Sequence, residues 1–229
     1  NGTEIDNLAA GSNPDEILWR SSIVSNLTKE SDNYPPSLYG KGRVNPTQNL
    51  VDAFPMANGY PITDQNSNYN ADDPYDGRDP RLKEYIICNG DTYKESLIIT
   101  GAYGATNDAL NMESGYSTRT GYYMKKLLRT DCNPNPTYNT PQKVYSAYIR
   151  YTELYLAYAE AANEAWGPKG KTEECKYTAY EIIKKIRERA GICVGVTDPY
   201  LNVCAEDPMK MRELIRNERR IELCFENHR

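Results

Sequence analysis

The sequence predicts a mainly α-helical protein with irregular loops and a few short strands. Two observations lead to this prediction. Residues 138–229 contain helix-forming stretches bounded by capping and breaking residues, whereas residues 1–137 contain the longest runs of Pro, Gly, Asn and Asp. We therefore predict a loop-rich subdomain with short strands over 1–137 and a helical part over 138–229, which together form one domain.

The first of three predicted helices begins with Thr140 as its N-cap and Pro141 at its first position, and ends at Gly167-Pro168. A stripe of Tyr and Ala recurs along it at intervals of three and four. The members of this stripe are Tyr148, Tyr151, Tyr155, Ala159 and Ala162. Antiparallel helix pairs with such seams resemble tetratricopeptide packing, in which each pair needs neighbours to bury its face.

The other two helices also have start and stop signals. The second is predicted to begin with Thr172 as its N-cap and to end at Gly191. The third is predicted to begin at Asp207, because Pro208 then occupies the first helical position.

One charged residue, Glu218, lies on the predicted buried face of the third helix. The apolar residues of this face are Met211, Leu214, Ile215, Ile221 and Phe225. An unpaired buried carboxylate is very costly, so Glu218 needs a cationic partner. Arg219, Arg220 or an arginine of the second helix could supply it. A structural ion pair is the preferred interpretation, and a catalytic acid is the alternative.

The first part of the chain combines short strands with long loops. A short helix is predicted at 49–56, and strands are predicted at 16–24, 83–88, 96–100 and 120–128. Residues 26–48 and 57–81 are predicted to be loops, because Pro, Gly, Asn and Asp dominate their composition.

Composition and charge narrow the possible functions. A net charge of −5 gives no electrostatic basis for nucleic-acid binding, and no apolar run is long enough to span a membrane. The six cysteines include no C-x-x-C pair, and His228 is the single histidine, so neither a zinc site nor a histidine-dependent triad is predicted. Cys193 and Cys204 could cross-link across one loop if the protein is exported. No cofactor is predicted.

An alternating run of oxygen-bearing side chains raises the question of calcium. Its members are Asp64, Asn66, Asn68, Asn70 and Asp72. An EF-hand loop that starts at Asp64 needs Gly at position 69 and Glu at position 75, and the sequence has Tyr at both. A solvated turn-rich loop is therefore the preferred interpretation, with a different oxygen-ligand calcium site as the alternative.

Several ordered segments resemble one family. Residues 148–164, YIRYTELYLAYAEAANE, are similar to a helix that reads roughly "RYaEvLLnYAEAlNE" in the SusD/RagB nutrient-binding outer-membrane lipoproteins. Residues 186–191 (IRERAG) and 212–226 (RELIRNERRIELCFE) resemble two further motifs of that family. Upstream, QNLVDAF, GRDPRL and GYYMKK, which begin at residues 48, 77 and 121, fit the same order. The resemblance covers roughly residues 16–229.

The resemblance implies the C-terminal portion of a SusD-like domain, without the N-terminal half, which carries most of the tetratricopeptide-like units, and without the extreme C-terminus. It implies a non-catalytic protein of the Bacteroidetes cell surface that binds glycan or oligosaccharide nutrients for polysaccharide utilization. It also implies delivery to a SusC-like, TonB-dependent transporter and attachment to the outer membrane through a lipid anchor upstream of this chain. The alternatives are a glycoside hydrolase with paired carboxylates and a helical-repeat scaffold that binds only protein.

Binding residues cannot be carried over by motif, so we chose them by chemistry. An aromatic ring covers the C–H face of a sugar, while amides and guanidinium groups bond its hydroxyls, and loops usually present such residues. The candidates are Trp19, Tyr34, Tyr39, Arg43 and Asn45 near the start, Tyr60, Asn68, Tyr69 and Tyr75 in the middle, and Trp166 at the end of the first helix. For each ring, a packing role is the alternative, and it is favoured for Trp19 because that residue lies within a predicted strand.

Overall fold

The computed structural model describes residues 15–102, 106–112 and 115–227, so His228 lies outside the described residues. The helices of this part are α1 (Thr28–Asn33), α2 (Gln48–Ala53), α3 (Pro80–Tyr85), α4 (Tyr151–Trp166), α5 (Ala179–Arg189), α6 (Pro199–Cys204) and α7 (Pro208–Glu222). The strands are β1 (Ile17–Arg20), β2 (Val24–Asn26), β3 (Ile86–Ile87), β4 (Thr92–Tyr93), β5 (Ser96–Leu97), β6 (Tyr123–Met124), β7 (Gln142–Val144) and β8 (Ala147–Arg150).

The chain divides into two compact units, each made of two segments. The first unit contains residues 1–51 and 82–148, and the second contains residues 52–81 and 149–229. These bounds differ from a single division between residues 137 and 138. The stretch before α4 forms strands of the first unit, and the segment 52–81 belongs with the C-terminal helices.

Short antiparallel strand pairs and loops build the first unit. Strand β2 pairs with β7, with Val24 opposite Val144, and β3 pairs with β6, with Ile86 opposite Met124. β4 and β5 form a hairpin, and β1 pairs with β8. The largest fully buried side chains of this unit are Tyr34, Leu82, Ile86, Ile87, Ile98, Tyr123, Lys126, Leu128 and Tyr145.

Helix packing builds the second unit. Helix α4 packs against α5 and α7, and α6 packs against α7. Ala159 and Ala162 are buried on α4, where their small side chains allow a close approach of the neighbouring backbone. The apolar residues that surround them are Leu156, Ile182, Ile183, Ile186, Leu201, Met211, Leu214, Ile215 and Leu223.

The predicted start of the first helix was wrong. Residues 142–144 and 147–150 are strands, and α4 begins at Tyr151. The reason is long-range pairing: Gln142 lies opposite Asn26 in the β2–β7 pair, and the Ser21 amide donates to the Ser146 carbonyl at 2.9 Å. The tyrosines of the predicted stripe are exposed, and the buried face of α4 consists of Thr152, Leu156, Ala159, Ala162 and Asn163.

Of the other two predicted helix starts, that of the second helix was wrong and that of the third was confirmed. Helix α5 begins after Thr178, not Thr172, because Thr178 and Glu181 form a complete capping box. Asp207 caps α7 as predicted and accepts a hydrogen bond from the Met209 amide at 2.8 Å. The intervening helix α6, capped by Asp198, was not predicted.

The loop-rich part also differs in detail. The predicted strand 16–24 is interrupted between β1 and β2, and the predicted loop 26–48 contains α1 and a 3-10 turn at Pro36–Leu38. The start of the predicted strand 83–88 is helical, because α3 continues to Tyr85. All six cysteines are free thiols, so the Cys193–Cys204 cross-link is not formed.

Candidate ligand-binding site

A groove of about 570 Å³ opens on the first unit. Its described lining consists of Ser31, Pro36, Tyr39, Gly40, Lys41, Asn107, Tyr116, Pro134 and Pro136. Two of these residues are aromatic: Tyr39 is 54% exposed and Tyr116 is 47% exposed. Both side chains therefore have surface accessible to a ligand, which makes this groove a candidate binding site.

The backbone around Tyr39 is held by a tight turn. Tyr39 follows the 3-10 turn and adopts a left-handed conformation with φ of 63°. The next residue, Gly40, packs so closely on Tyr34 that an added Cβ would lie 2.0 Å from the Tyr34 carbonyl oxygen. The Ser37 amide also donates to the Asp108 carboxylate at 2.8 Å. Glycine is therefore required at position 40 for the chain to present Tyr39 in this way.

The segment that carries Tyr116 is anchored to a buried tyrosine. The Tyr123 hydroxyl donates to the Asp108 carbonyl at 2.8 Å and accepts from the Thr118 amide at 3.0 Å. The Thr118 hydroxyl in turn accepts from the Gly121 and Tyr122 amides. Burial raises the pKa of Tyr123 above the usual range, so its hydroxyl stays protonated and can donate.

One amide side chain joins the two walls of the groove. Asn45 donates to the Gly42 carbonyl at 2.7 Å and accepts from the Arg119 amide at 2.9 Å. This links the loop of Tyr39 to the segment of Tyr116. The predicted ligand residue Asn45 thus has a structural role in the described structure, and ligand contact by its remaining hydrogen-bonding capacity stays a prediction.

One cation lines the groove, and it has a carboxylate neighbour. Lys41 is the one charged residue in the described lining. Its Nζ lies 3.7 Å from the Asp32 carboxylate, which also contacts Arg43 Nε at 3.4 Å. Arg43 was predicted as a ligand residue; it is exposed and lies outside the described lining. The described lining therefore offers ring and proline surfaces together with one amine, one amide and the hydroxyls of Ser31, Tyr39 and Tyr116.

The prediction that Tyr34 binds ligand was wrong. Tyr34 has no exposed surface, and its hydroxyl donates to the Arg129 carbonyl. Its ring lies edge-on to Tyr93 at 5.7 Å between centroids and beneath the Lys94 ammonium at 4.7 Å. Burial raises the pKa of Tyr34 and lowers that of Lys94. Tyr34 is thus a core residue on which Gly40 of the groove lining packs.

The second predicted cluster is only partly assembled. Asn68 lies in a polar pocket of about 360 Å³, which is also lined by Met56, Ala57, Asn58, Ser67, Asn70, Asp73, Asp76 and Gly77. The three tyrosines of this prediction, Tyr60, Tyr69 and Tyr75, are half-buried and do not line it. The ring of Tyr60 lies 5.5 Å from that of Tyr200, and Tyr69 lies 5.5 Å from the Arg78 guanidinium. The described lining of this pocket therefore contains no aromatic ring.

Both tryptophans are exposed. Trp19 is 62% exposed and makes an edge-to-face contact with Tyr148 at 5.2 Å between centroids, so the preferred core role for Trp19 was wrong. Trp166, at the end of α4, is 42% exposed. Neither lines the Tyr39–Tyr116 groove, and their contact with ligand stays a prediction.

Glu218 is completely buried within an ion network of the second unit. Its two carboxylate oxygens contact Arg187 Nη1 at 2.9 Å and Arg81 Nη2 at 3.0 Å. Arg187 is the predicted partner from the second helix, and Arg81, from the GRDPRL segment, was not predicted. Asp79 and Glu222 are further carboxylates in contact with Arg81, and Asp198 is a further carboxylate in contact with Arg187.

The network keeps its arginines charged. Burial acts to lower the pKa of Arg81, but Glu218 and Asp79 outweigh it and hold the pKa well above its usual range. For Arg187, Glu218 and Asp198 likewise outweigh the effect of burial. Both oxygens of Glu218 are occupied, which agrees with a structural ion pair rather than a catalytic acid.

Four polar or aromatic residues of the described groove lining, Ser31, Lys41, Asn107 and Tyr116, were not predicted. Tyr116 lies beside Gly115 and Ser117, so a tyrosine next to a turn-forming glycine was a signal present in the sequence. In the part of the chain that the structure describes, no group of acidic, cysteine or histidine side chains is suited to a metal ion. None of the described helices combines the length and apolar character needed to cross a bilayer.

The comparisons with known proteins agree on one family. Residues 15–229 match the model of the SusD family. A solved SusD-like carbohydrate binding protein from Bacteroides fragilis aligns with 99% of this chain and 42% of its own, at 23% identity and a TM-score of 0.72. A second SusD-like protein from Bacteroides fragilis aligns with 92% of this chain and 41% of its own, at 29% identity and a TM-score of 0.64.

The chain thus spans about two-fifths of the length of these solved structures. No curated protein matches it. The likeness at 23% identity supports the fold, which is mainly helical with a few short strands, as predicted. Because the family model matches nearly the whole chain, the protein belongs to the SusD family.

Proposed function

We propose that this protein binds glycan or oligosaccharide nutrients at the bacterial cell surface without cleaving them, and that the Tyr39–Tyr116 groove contacts the sugar. The observation that carries the proposal is two half-exposed tyrosine rings in one groove together with Ser31, Lys41 and Asn107. A tyrosine ring has an apolar face that can pack on the C–H groups of a sugar. The three polar side chains can form hydrogen bonds with the sugar hydroxyls. A relative of the same fold is described as a carbohydrate binding protein, which supports this assignment.

The geometry of the groove favours binding over catalysis. A glycoside hydrolase needs two carboxyl groups that flank the scissile bond. The described lining residues provide an amine, an amide and hydroxyls, but no carboxylate. Hydrogen bonds also hold both walls, one of them buried and the other part-buried. Such preorganisation lowers the entropy cost of binding.

Membership of the SusD family extends the proposal to the partner. We propose that the whole protein delivers its glycan to a SusC-like, TonB-dependent transporter, and that a lipid anchor upstream of this chain attaches it to the outer membrane. Co-purification of the intact protein with such a transporter from outer-membrane extracts would support this part. Recovery of the protein without a transporter, in a soluble fraction, would contradict it.

Calorimetry against a panel of plant, fungal and host polysaccharides tests the binding site. For a glycan that binds, we expect Tyr39→Ala and Tyr116→Ala each to lower the affinity about tenfold, which corresponds to about 1.4 kcal/mol. Tyr177→Ala is the matched control, because Tyr177 is 49% exposed and lies outside the groove. If Tyr39→Ala and Tyr116→Ala bind the glycan as tightly as Tyr177→Ala does, the groove is rejected as the binding site.

The same samples separate binding from hydrolysis. We expect no new reducing ends after incubation of the intact protein with the bound glycan. Release of reducing ends would reject the proposal and favour the paired-carboxylate hydrolase. If the protein binds protein partners but no glycan, the helical scaffold is favoured instead.

A further inference from the structure

Exposed cations lie beside the Tyr39–Tyr116 groove, although the chain as a whole carries a net charge of −5. Lys41 belongs to the described lining, and Arg43 and Arg119 are exposed on the two segments that form its walls. The side chains of Lys41 and Arg43 are 41% and 59% exposed. The charged ends of these residues are therefore open to solvent next to the groove.

Two contacts between the walls keep these cations close to one another. Gly42 lies between the two cations of the first wall, and an added Cβ there would lie 2.7 Å from the Tyr116 carbonyl oxygen. The Asn45 side chain donates to the Gly42 carbonyl at 2.7 Å and accepts from the Arg119 amide at 2.9 Å. The backbone that carries the three cations is thus packed and hydrogen-bonded together beside the tyrosines.

The carboxylates near the groove are buried or shared. Asp32 contacts two cations at once, Lys41 Nζ at 3.7 Å and Arg43 Nε at 3.4 Å, and exposed ion pairs of this kind are weak. The other described carboxylates within three residues of the lining are either buried or paired with an arginine; they are Glu30, Asp108 and Asp131. A ligand therefore meets exposed cations and few free carboxylates among the described residues.

Arg119 has the largest unused capacity of the three. Among the described residues its guanidinium has no carboxylate partner, and its Nη1 donates to the neutral Asn111 amide oxygen at 3.2 Å. A guanidinium has several N–H donors in a planar fork, so most of them remain available. This fork matches the paired oxygens of a carboxylate or of a similar oxyanion.

We propose that the groove selects glycans that carry an anionic group, either the carboxylate of a uronic acid or a sulfate ester. Lys41, Arg43 and Arg119 contact the anionic group, and the tyrosine rings pack on the sugar. The inference rests on the proposed function, because it names the class of glycan for the same groove. A neutral glycan makes the ring contacts but forms no charge-assisted hydrogen bonds, so it binds more weakly.

Paired polysaccharides that differ only in charge test the proposal by calorimetry on the intact protein. De-esterified homogalacturonan is compared with its methyl ester, and dextran sulfate with dextran. We expect the anionic member of at least one pair to bind about tenfold more tightly, and the pair that responds identifies carboxylate or sulfate. Equal affinities within both pairs, or binding of neutral glycans alone, would overturn the proposal. Poly-L-glutamate that binds as tightly as the anionic glycan would overturn it in favour of an acidic protein partner.

Charge-removing variants locate the interaction. Lys41→Gln and Arg119→Gln keep the backbone contacts, and we expect each to lower the affinity for the anionic glycan about tenfold and to leave that for its neutral counterpart unchanged. Lys143→Gln is the matched control, because Lys143 is exposed in β7 of the same unit and lies outside the described lining. Equal losses in all three variants indicate non-specific attraction and overturn the proposal. Unchanged urea midpoints show that the variants are folded.

The tyrosine variants separate failure of this inference from failure of the proposed function. If Tyr39→Ala weakens glycan binding while Lys41→Gln and Arg119→Gln bind like the control, the groove binds glycan without selecting charge. The inference is then wrong and the proposed function stands. If Tyr39→Ala and Tyr116→Ala bind each glycan as tightly as the unchanged protein, the groove is not the site and both are wrong.

Discussion

Around Glu218 each buried charge meets its partner inside the protein, whereas around Tyr39 the rings and polar atoms of the groove face solvent. Both oxygens of Glu218 contact arginines, and Arg81 and Arg187 are 4% and 1% exposed. In the groove, Tyr39 and Tyr116 keep about half of their surface exposed. This contrast indicates where a ligand is to be expected. Polar groups whose hydrogen bonds and ion pairs are all made within the protein stabilise the fold, whereas exposed groups with free hydrogen-bonding capacity remain available for a ligand.

The two regions also differ in the origin of their rigidity. The ion network joins α5 and α7 to the segment of Asp79 and Arg81 through charged side chains. The groove is held by backbone turns and by hydrogen bonds from Tyr123, Ser37 and Asn45. Because the pKa values of Arg81 and Arg187 are raised, the stabilisation from these arginines is present throughout the neutral range. It is lost only as the pH rises beyond the ordinary arginine pKa.

The largest effect is expected from breaking the ion network. Glu218→Ala leaves two buried guanidinium groups without one of their carboxylates, so we expect the free energy of unfolding to fall by about 3–5 kcal/mol. Glu213→Ala on the same helix is the control, because its side chain is 71% exposed and its ion pair with Arg216 is weak. Urea unfolding measures both, and we expect the control to change by less than about 0.5 kcal/mol. Similar losses in the two variants would show that the network does not stabilise the fold.

An intermediate loss of stability is expected from a change at Gly40, which holds the turn that presents Tyr39. In Gly40→Ala the new Cβ meets the Tyr34 carbonyl, so the turn must move, and we expect a loss of about 3 kcal/mol together with weaker glycan binding. Gly101→Ala is the control, since its Cβ would lie 3.7 Å from the nearest atom, Asn89 Oδ1. Unfolding and calorimetry are measured on both. Full glycan affinity in Gly40→Ala would indicate that this turn does not position the binding residues.

The smallest effect is expected at the two threonines that could cap helix α5, the one predicted from the sequence and the one observed in the structure. Thr178→Ala removes the cap of α5 and is expected to cost about 1 kcal/mol, whereas Thr172→Ala removes a residue that only resembles a cap and is expected to cost a few tenths. Thermal or urea unfolding distinguishes the two. A larger loss of stability for Thr172→Ala than for Thr178→Ala would indicate that the helix begins at Thr172, as the sequence predicted.

The success of the sequence-based predictions depended on the range of the interactions involved. The start of α7 at Asp207 was predicted because a cap and a proline act on their own helix turn, and the burial of Glu218 followed from helical periodicity. The partner Arg81 was missed, since it lies 137 residues from Glu218 in the chain. Strand β7 was wrongly predicted to be part of a helix, because its partner strand β2 lies more than a hundred residues away in the chain.

Local composition could not separate the exposed ring from the core ring. Tyr34 and Tyr39 lie five residues apart in the same Pro- and Gly-rich loop, and both were predicted to bind ligand. Packing against Tyr93 and Lys94 buries the first, and the left-handed turn at position 39 exposes the second. Hydrogen bonds of Tyr123 and Asn45 hold the segment of Tyr116 beside the loop of Tyr39.

Helical periodicity, capping residues and ordered motifs were thus sufficient for the helical class and the SusD family, since each acts within one helix turn or one short segment. Which tyrosines face solvent, which arginine neutralises Glu218 and which segments share a unit were settled by contacts between distant parts of the chain. Burial depends on the side chains that arrive from elsewhere, and a stretch of ten or twenty residues contains no information about them.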